Sequence, residues 1–125
     1  MSKPLIYVAG PYTQGNLDVN IRRAVMCGDV LVGFGAAPFI PHLFHLWELM
    51  SPRPYEEWLE LDLDMLERCD ALVRIQGESP GADREEAYAD ILKIPVFQVR
   101  FEEGQFLDIP SKLLDFISHW EGSGK

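Results

Sequence analysis

Residues 71–99 read ALVRIQGESPGADREEAYADILKIPVFQV, and they divide by composition into four pieces. ALVRI is a short apolar run of strand formers and QGESPG is a turn-rich loop. ADREEAYADILK carries helical spacing, and IPVFQV is strand-like again. A strand, a helix and a second strand in this order predict a βαβ unit, whose strands must run parallel.

The same alternation extends outward. PLIYVA, residues 4–9, predicts a buried strand that ends in the loop GPYTQGN. Leu17, Ile21, Ala24, Gly28 and Leu31 then recur at helical spacing, with GFGA as the stop. APFIP, residues 37–41, predicts a second strand, followed by the Pro- and aromatic-rich stretch HLFHLWELMSPRP. A helix over 55–69 precedes ALVRI, and IPSKLLDFISHW at 109–120 predicts a closing helix. The expected class is α/β: one domain over 1–120 with a flexible tail at 121–125. It should be a flavodoxin-like three-layer sandwich on a parallel sheet of about four to five strands, ordered 2-1-3-4. In open sheets of this kind, ligands sit beyond the carboxyl ends of the strands where the winding reverses. Here that is between GPYTQGN and QGESPG.

Composition narrows the function. The 125 residues carry a formal charge of -9, and the 11 Lys and Arg are scattered, which argues against a nucleic-acid polymer as partner. No apolar run approaches the roughly 18 residues of a membrane span, and no secretory signal pattern opens the chain, so a cytoplasmic location is expected. Cys27 and Cys69 occupy apolar helical positions outside any CxxC pattern and read as buried free thiols. His42 and His45 have the spacing of two ligands on a helical turn. With no third ligand evident, no metal and no cofactor are expected.

The helix at 82–93 raises a question. Ala82, Glu85, Ala89 and Leu92 form one stripe, and Asp83, Glu86, Asp90 and Lys93 form another. The first is the core side, so Glu85 faces inward and Glu86 outward. The preceding helix repeats the pattern, with Asp62 on the inward stripe of Tyr55, Trp58, Leu59, Met65, Leu66 and Cys69. An unpartnered buried carboxylate costs several kcal/mol or shifts its pKa strongly upward. Two plain accounts fit: the acids cap helix ends or pair with an arginine such as Arg22, Arg23 or Arg84. A functional account fits as well, because Glu85 lies about one turn into a helix that starts at the expected ligand edge.

Three blocks resemble the nucleoside 2-deoxyribosyltransferase-like family, which includes the nucleoside 5'-monophosphate N-glycosidases. They are IYVAGPYTQG, DLDMLERCDALV and SPGADREEAYA, and the last, as Ser-x-Gly-x-x-x-Glu-x-x-x-Ala, is the most specific. The resemblance implies cleavage of an N-glycosidic bond through a covalent glycosyl-enzyme intermediate, with Glu85 as nucleophile and Asp62 contacting the sugar or assisting protonation of the leaving base. It implies that Tyr7 lies near the nucleophile. Ser79 and Gly81 would grip the 5' end or its phosphate, Gly10 would let the backbone approach the ligand, and Pro11, Tyr12 and Thr13 would shape the pocket. His42 could approach the base. Simple capping by Ser79, a turn at Gly81 and a structural role for Asp70 remain alternatives. The implied partners are a small nucleoside or nucleotide and further copies of the chain in a homodimer or larger assembly. The segment FIPHLFHLWELM departs from the better-known members, which leaves the substrate open. A non-catalytic nucleotide or sugar-phosphate binding module on the same fold is the rival. A receiver-like domain would want clustered acids after the first strand, where this chain has AGPYT.

Overall fold

The computed structural model describes residues 3–102 and 107–122. Five strands form one sheet: β1 Leu5–Ala9, β2 Ala37–Phe39, β3 Ala71–Ile75, β4 Val96–Phe101 and β5 Leu107–Asp108. Their order is β2-β1-β3-β4-β5. The first four pair in parallel, and β5 runs antiparallel to β4. The flavodoxin-like order 2-1-3-4 therefore holds, with β5 as an added edge that its two residues were too short to announce in the sequence. Of the expected tail at 121–125, residues 123–125 lie outside the described residues.

The helices are α1 Leu17–Gly33, α2 Phe44–Met50, α3 Tyr55–Leu66, α4 Pro80–Leu92 and α5 Ser111–Ser118, with a single 3-10 turn at Pro41–Leu43 before α2. Because strand residues alternate faces, the sheet buries two separate apolar layers. On one side Ile6, Val8, Val73 and Val99 meet Ala24, Cys27 and Leu31 of α1 and Leu113 and Ile117 of α5. On the other, Tyr7, Ala9 and Leu72 meet Leu66 at the end of α3, Cys69 just past it (the helix stops three residues short of the expected 69), and Ala82 and Ala89 of α4. Both cysteines are fully buried, and burial pushes Cys27 up to about 12.

Local chemistry sets the helix ends. Asn16 caps α1 by accepting from the Val19 N–H at 3.0 Å. Ser79 caps α4 in the same way through Ala82, and Pro80 occupies its first turn, so α4 begins two residues earlier than the expected 82. At its far end Lys93 adopts φ 61°, which turns the chain toward β4. The Pro- and aromatic-rich stretch after β2, to which the sequence assigned no element, folds into the 3-10 turn and α2. Its apolar residues make a short helix on tertiary support, too short for a clear period. No described helix is long and apolar enough to cross a membrane.

Candidate active site

A cavity of about 260 Å³ opens at the carboxyl ends of β1 and β3, the expected switch point. Gly10 and Tyr12 line it from the loop after β1, and Pro41, His42, Phe44, His45 and Glu48 line it from the segment after β2. Arg53, Tyr55, Trp58, Leu59 and Asp62 contribute from α3 and its approach, and Ser79, Gly81, Ala82 and Glu85 from the start of α4.

Glu85 is the deepest acid, 7% exposed, on the buried stripe with Ala82 and Ala89. The Tyr7 hydroxyl, on a residue with no exposed surface, donates to Glu85 Oε2. Burial pushes Glu85 from its ordinary 4.5 up to about 8. The Tyr7 hydrogen bond opposes that shift, the Asp62 charge adds to it, and the Arg74 guanidinium opposes it. Tyr7 itself is driven well above the usual phenol range, first by burial and then by the Glu85 and Asp62 charges. Burial raises Asp62 from 3.8 to about 7, and its Oδ1 is buried with no hydrogen-bond partner among the described residues. A carboxylate held through one oxygen beside an acid that titrates near neutrality can act as a nucleophile or base next to a proton donor.

His42 is 5% exposed, and its Nε2 lies 2.9 Å from the Pro11 carbonyl. A carbonyl only accepts, so Nε2 carries the hydrogen, and burial lowers the ring's pKa toward the neutral form. Tyr12 Oη lies 2.6 Å from His45 Nδ1, and the Tyr12 ring stands edge-on to both histidines. The same cavity carries an aromatic wall. Phe44 stacks on Trp58 at 5.6 Å and Trp47 stands edge-on to both, while the Arg53 guanidinium lies 5.2 Å from the Trp47 ring centre and 5.7 Å from that of Trp58. Glu48 ties the wall together by accepting from Trp58 Nε1 at 2.9 Å and from the Arg53 backbone N–H.

Of the residues singled out in the sequence, Gly10, Tyr12, His42, Asp62, Ser79, Gly81 and Glu85 line the cavity, and Tyr7 touches Glu85. Pro11 and Thr13 are not part of its described lining. Thr13 is exposed, and Pro11 acts indirectly, through its carbonyl on His42 and its ring against Gly77. Gly10 has a packing reason as well, since a Cβ there would lie 2.9 Å from Ile75 Cβ. Ser79 is 6% exposed and spends its hydroxyl on the α4 cap. Asp70 is structural: its carboxylate accepts from the Leu5 N–H at 2.8 Å, and its own N–H donates to the Leu5 carbonyl at 2.7 Å. Tyr55, expected inward, is 55% exposed at the cavity rim.

The arginine whose charge acts on Glu85 is none of Arg22, Arg23 and Arg84. It is Arg74, 6% exposed on β3, which also reaches Glu86, so Glu86 is half-buried rather than freely solvated. Its signal was a lone cation inside ALVRI followed by acids at 83 and 86, one helical turn apart. The aromatic wall was missed because its members come from separate segments. Among the described residues no group of three or more His, Cys, Asp or Glu could hold a metal ion.

A family model described as "Domain of unknown function (DUF7768)" matches residues 4–99, most of the chain and every cavity-lining residue. The chain belongs to the DUF7768 family. No curated protein matches this DUF7768 chain in sequence. Two solved structures share its fold. One is the 2-desoxiribosyltransferase from Leishmania mexicana, with a TM-score of 0.61 at 15% identity, covering 93% of this chain and 98% of that one. The other is a 2-deoxyribosyltransferase from the psychrotolerant bacterium Bacillus psychrosaccharolyticus, with a TM-score of 0.59 at 20% identity, covering 90% of this chain and 81% of that one. At such identities the likeness is one of fold.

Proposed function

We propose that the protein cleaves the N-glycosidic bond of a nucleoside or nucleoside 5'-monophosphate. The observation that carries this reading is the buried Glu85 carboxylate, hydrogen-bonded by Tyr7 and lining a cavity with Asp62 at the switch point of the sheet. Tyr7 holds Oε2, and Glu85 Oε1 attacks the anomeric carbon. The bond from that carbon to the base nitrogen breaks, its electron pair going to the base, which takes a proton from Asp62. The product is a glycosyl ester on Glu85, and the ionised Asp62 can then accept a proton from incoming water. Attack by water or by a second base on the same carbon releases the ester and restores both acids. The rings of Phe44, Trp58 and Tyr12, all lining one cavity, suit a planar base.

Support from outside the site is the shared fold of the two 2-deoxyribosyltransferases. A homodimer or larger assembly in one cytoplasmic compartment belongs to the same proposal, and sedimentation of the purified chain tests the assembly. The activity is tested with wild type and Glu85→Gln against a panel of nucleosides and their 5'-monophosphates, with and without a second base. Base release is followed by chromatography and the protein mass by spectrometry after acid quench. Turnover and a glycosyl adduct in wild type alone are expected, and a need for the second base identifies a transferase. Folded wild type that binds nucleotides but turns none over would overturn the enzyme reading in favour of a binding module.

A further inference from the structure

Arg74 is a charged residue inside an otherwise apolar buried strand. Its register partner on β1 is Ala9, which lies on the α3 and α4 side of the sheet, so the Arg74 side chain emerges beneath α4. There its guanidinium spans two pieces of chain. Nε donates to the Ile75 carbonyl at 3.1 Å and Nη2 to the Gly77 carbonyl at 2.7 Å, both in the run that leaves β3. Nη1 donates to Asp83 Oδ1 at 2.8 Å and lies 3.5 Å from Glu86 Oε1, both on α4. Gly77 can present that carbonyl because its φ is +143°, and a Cβ there would lie 2.6 Å from Pro11 Cγ. The junction of β3 and α4, which carries Ser79 and Gly81, is therefore tied on both sides by one side chain, and Glu85 follows Asp83 and precedes Glu86 on the same helix, with its side chain on the buried stripe.

We propose that Arg74 is a positioning residue that sets both the place and the charge environment of the Glu85 carboxylate. This rests on the proposed chemistry at Glu85. Burying a guanidinium is costly, and a strand-to-helix junction can be held by apolar packing alone. The partners explain why a cation serves here. Asp83 is 70% exposed at its side chain, so water screens its pull on Arg74, and Glu86 stands at a longer distance. Part of the positive charge is left to act on Glu85. The groups that face Glu85 are Tyr7 from β1, Asp62 from α3 and Arg74 from β3, with Cys69 close enough to Tyr7 to influence it. Of these only Arg74 is a cation, and it opposes both burial and Asp62.

The test uses three variants of the whole chain, Arg74→Met, Arg74→Lys and Glu86→Gln, each read in two ways. One is the carbon-13 carboxyl titration of Glu85 without substrate, its resonance assigned with Glu85→Gln. The other is the pH profile of kcat and KM on whichever nucleoside or nucleotide the wild type turns over. Arg74→Met should move the Glu85 titration to higher pH and lower kcat by about 100-fold, the scale of a roughly 1 Å misplacement, with KM changing far less. Glu86→Gln, which removes an anion competing for Arg74, should move the titration to lower pH. Arg74→Lys keeps the charge but loses the fork, so its kcat should fall with little movement of the titration. An unmoved Glu85 titration in both Arg74→Met and Glu86→Gln would overturn the proposal even in an active enzyme. The opposite shifts in a protein that turns over nothing would sustain the link between Arg74 and Glu85 while removing the glycosidic reading.

Discussion

The Tyr7 hydroxyl donates to Glu85 Oε2 across 78 positions of sequence, joining the middle of β1 to the second turn of α4 inside the protein. Tyr7→Phe keeps the ring in its fully buried place and removes only the donor. Glu85 then loses a group that lowers its pKa, so its titration should move upward. Under the proposed mechanism kcat at pH 7 should fall by about 10- to 100-fold, matching the loss of about 1–3 kcal/mol for a hydrogen bond to a charged group. The pH profile of Tyr7→Phe against wild type is the measurement.

Two acids raised to about 7 and about 8 on one cavity titrate as a coupled pair. The productive form has Glu85 ionised and Asp62 protonated, which is the minor of the two singly ionised forms because Glu85, raised further, holds its proton more tightly than Asp62. Turnover should therefore rise as pH approaches the lower apparent pKa and fall above the upper one, giving a bell with its top between about 7 and 8. A rate that stays flat from pH 5 to 9 would contradict the pairing.

The same shifts govern stability. Both folded pKa values lie above the unfolded ones, so the folded state binds more protons between about 4 and about 8. Stability from these groups is fully present below the unfolded values and is lost as pH rises through the folded ones. Asp62→Asn removes the charge that becomes unfavourable on that climb. Urea unfolding at pH 8.5 should show it about 1–3 kcal/mol more stable than wild type, with the gap closing by pH 5.

Arg53 is the one Lys or Arg in the described cavity lining, set against Glu48, Asp62 and Glu85. Its guanidinium is held over two indoles, and no carboxylate lies within 4.0 Å of it among the described residues. Arg53→Met should raise KM for a nucleoside 5'-monophosphate by about tenfold and leave the unphosphorylated nucleoside nearly unchanged, as expected for one charged hydrogen bond. Equal changes for both substrates would place the phosphate elsewhere.

Gly10→Ala tests the junction of β1 and β3 under the cavity. The added Cβ would stand 2.9 Å from Ile75 Cβ, an atom fixed to the backbone of a fully buried strand, so the strands must part. A loss of about 1–3 kcal/mol is expected on thermal or urea unfolding, the usual cost of overpacking.

Particular elements show how far the chain could be read without its tertiary structure. β1, β3 and α4 were legible because their patterns are local: unbroken apolar runs for buried parallel strands, and helical spacing from Ala82 onward, although the Ser-Pro start of α4 was read as loop. The inward face of Glu85 followed from spacing of three and four along that helix. β5 was not legible, because a two-residue antiparallel edge carries no periodicity of its own. Nor was α2, whose seven residues hold their shape through contacts made by Phe44 and Trp47 with Trp58.

The sequence by itself determined the parallel α/β order, the switch point and which acid of the Glu85 and Glu86 pair turns inward: the first two follow from the alternation of strands and helices under the right-handed crossover rule, the third from helical spacing over a few residues. Only the tertiary structure decided what Glu85 meets. Tyr7, Asp62 and Arg74 come from β1, α3 and β3, and their distances to Glu85 depend on strand register and helix packing, which no spacing along the chain records. The same holds for the aromatic wall and for Gly10, whose missing side chain makes room for Ile75 across the sheet. A burial-driven pKa is a property of all the groups that exclude water together, and that shell exists only once the chain has folded.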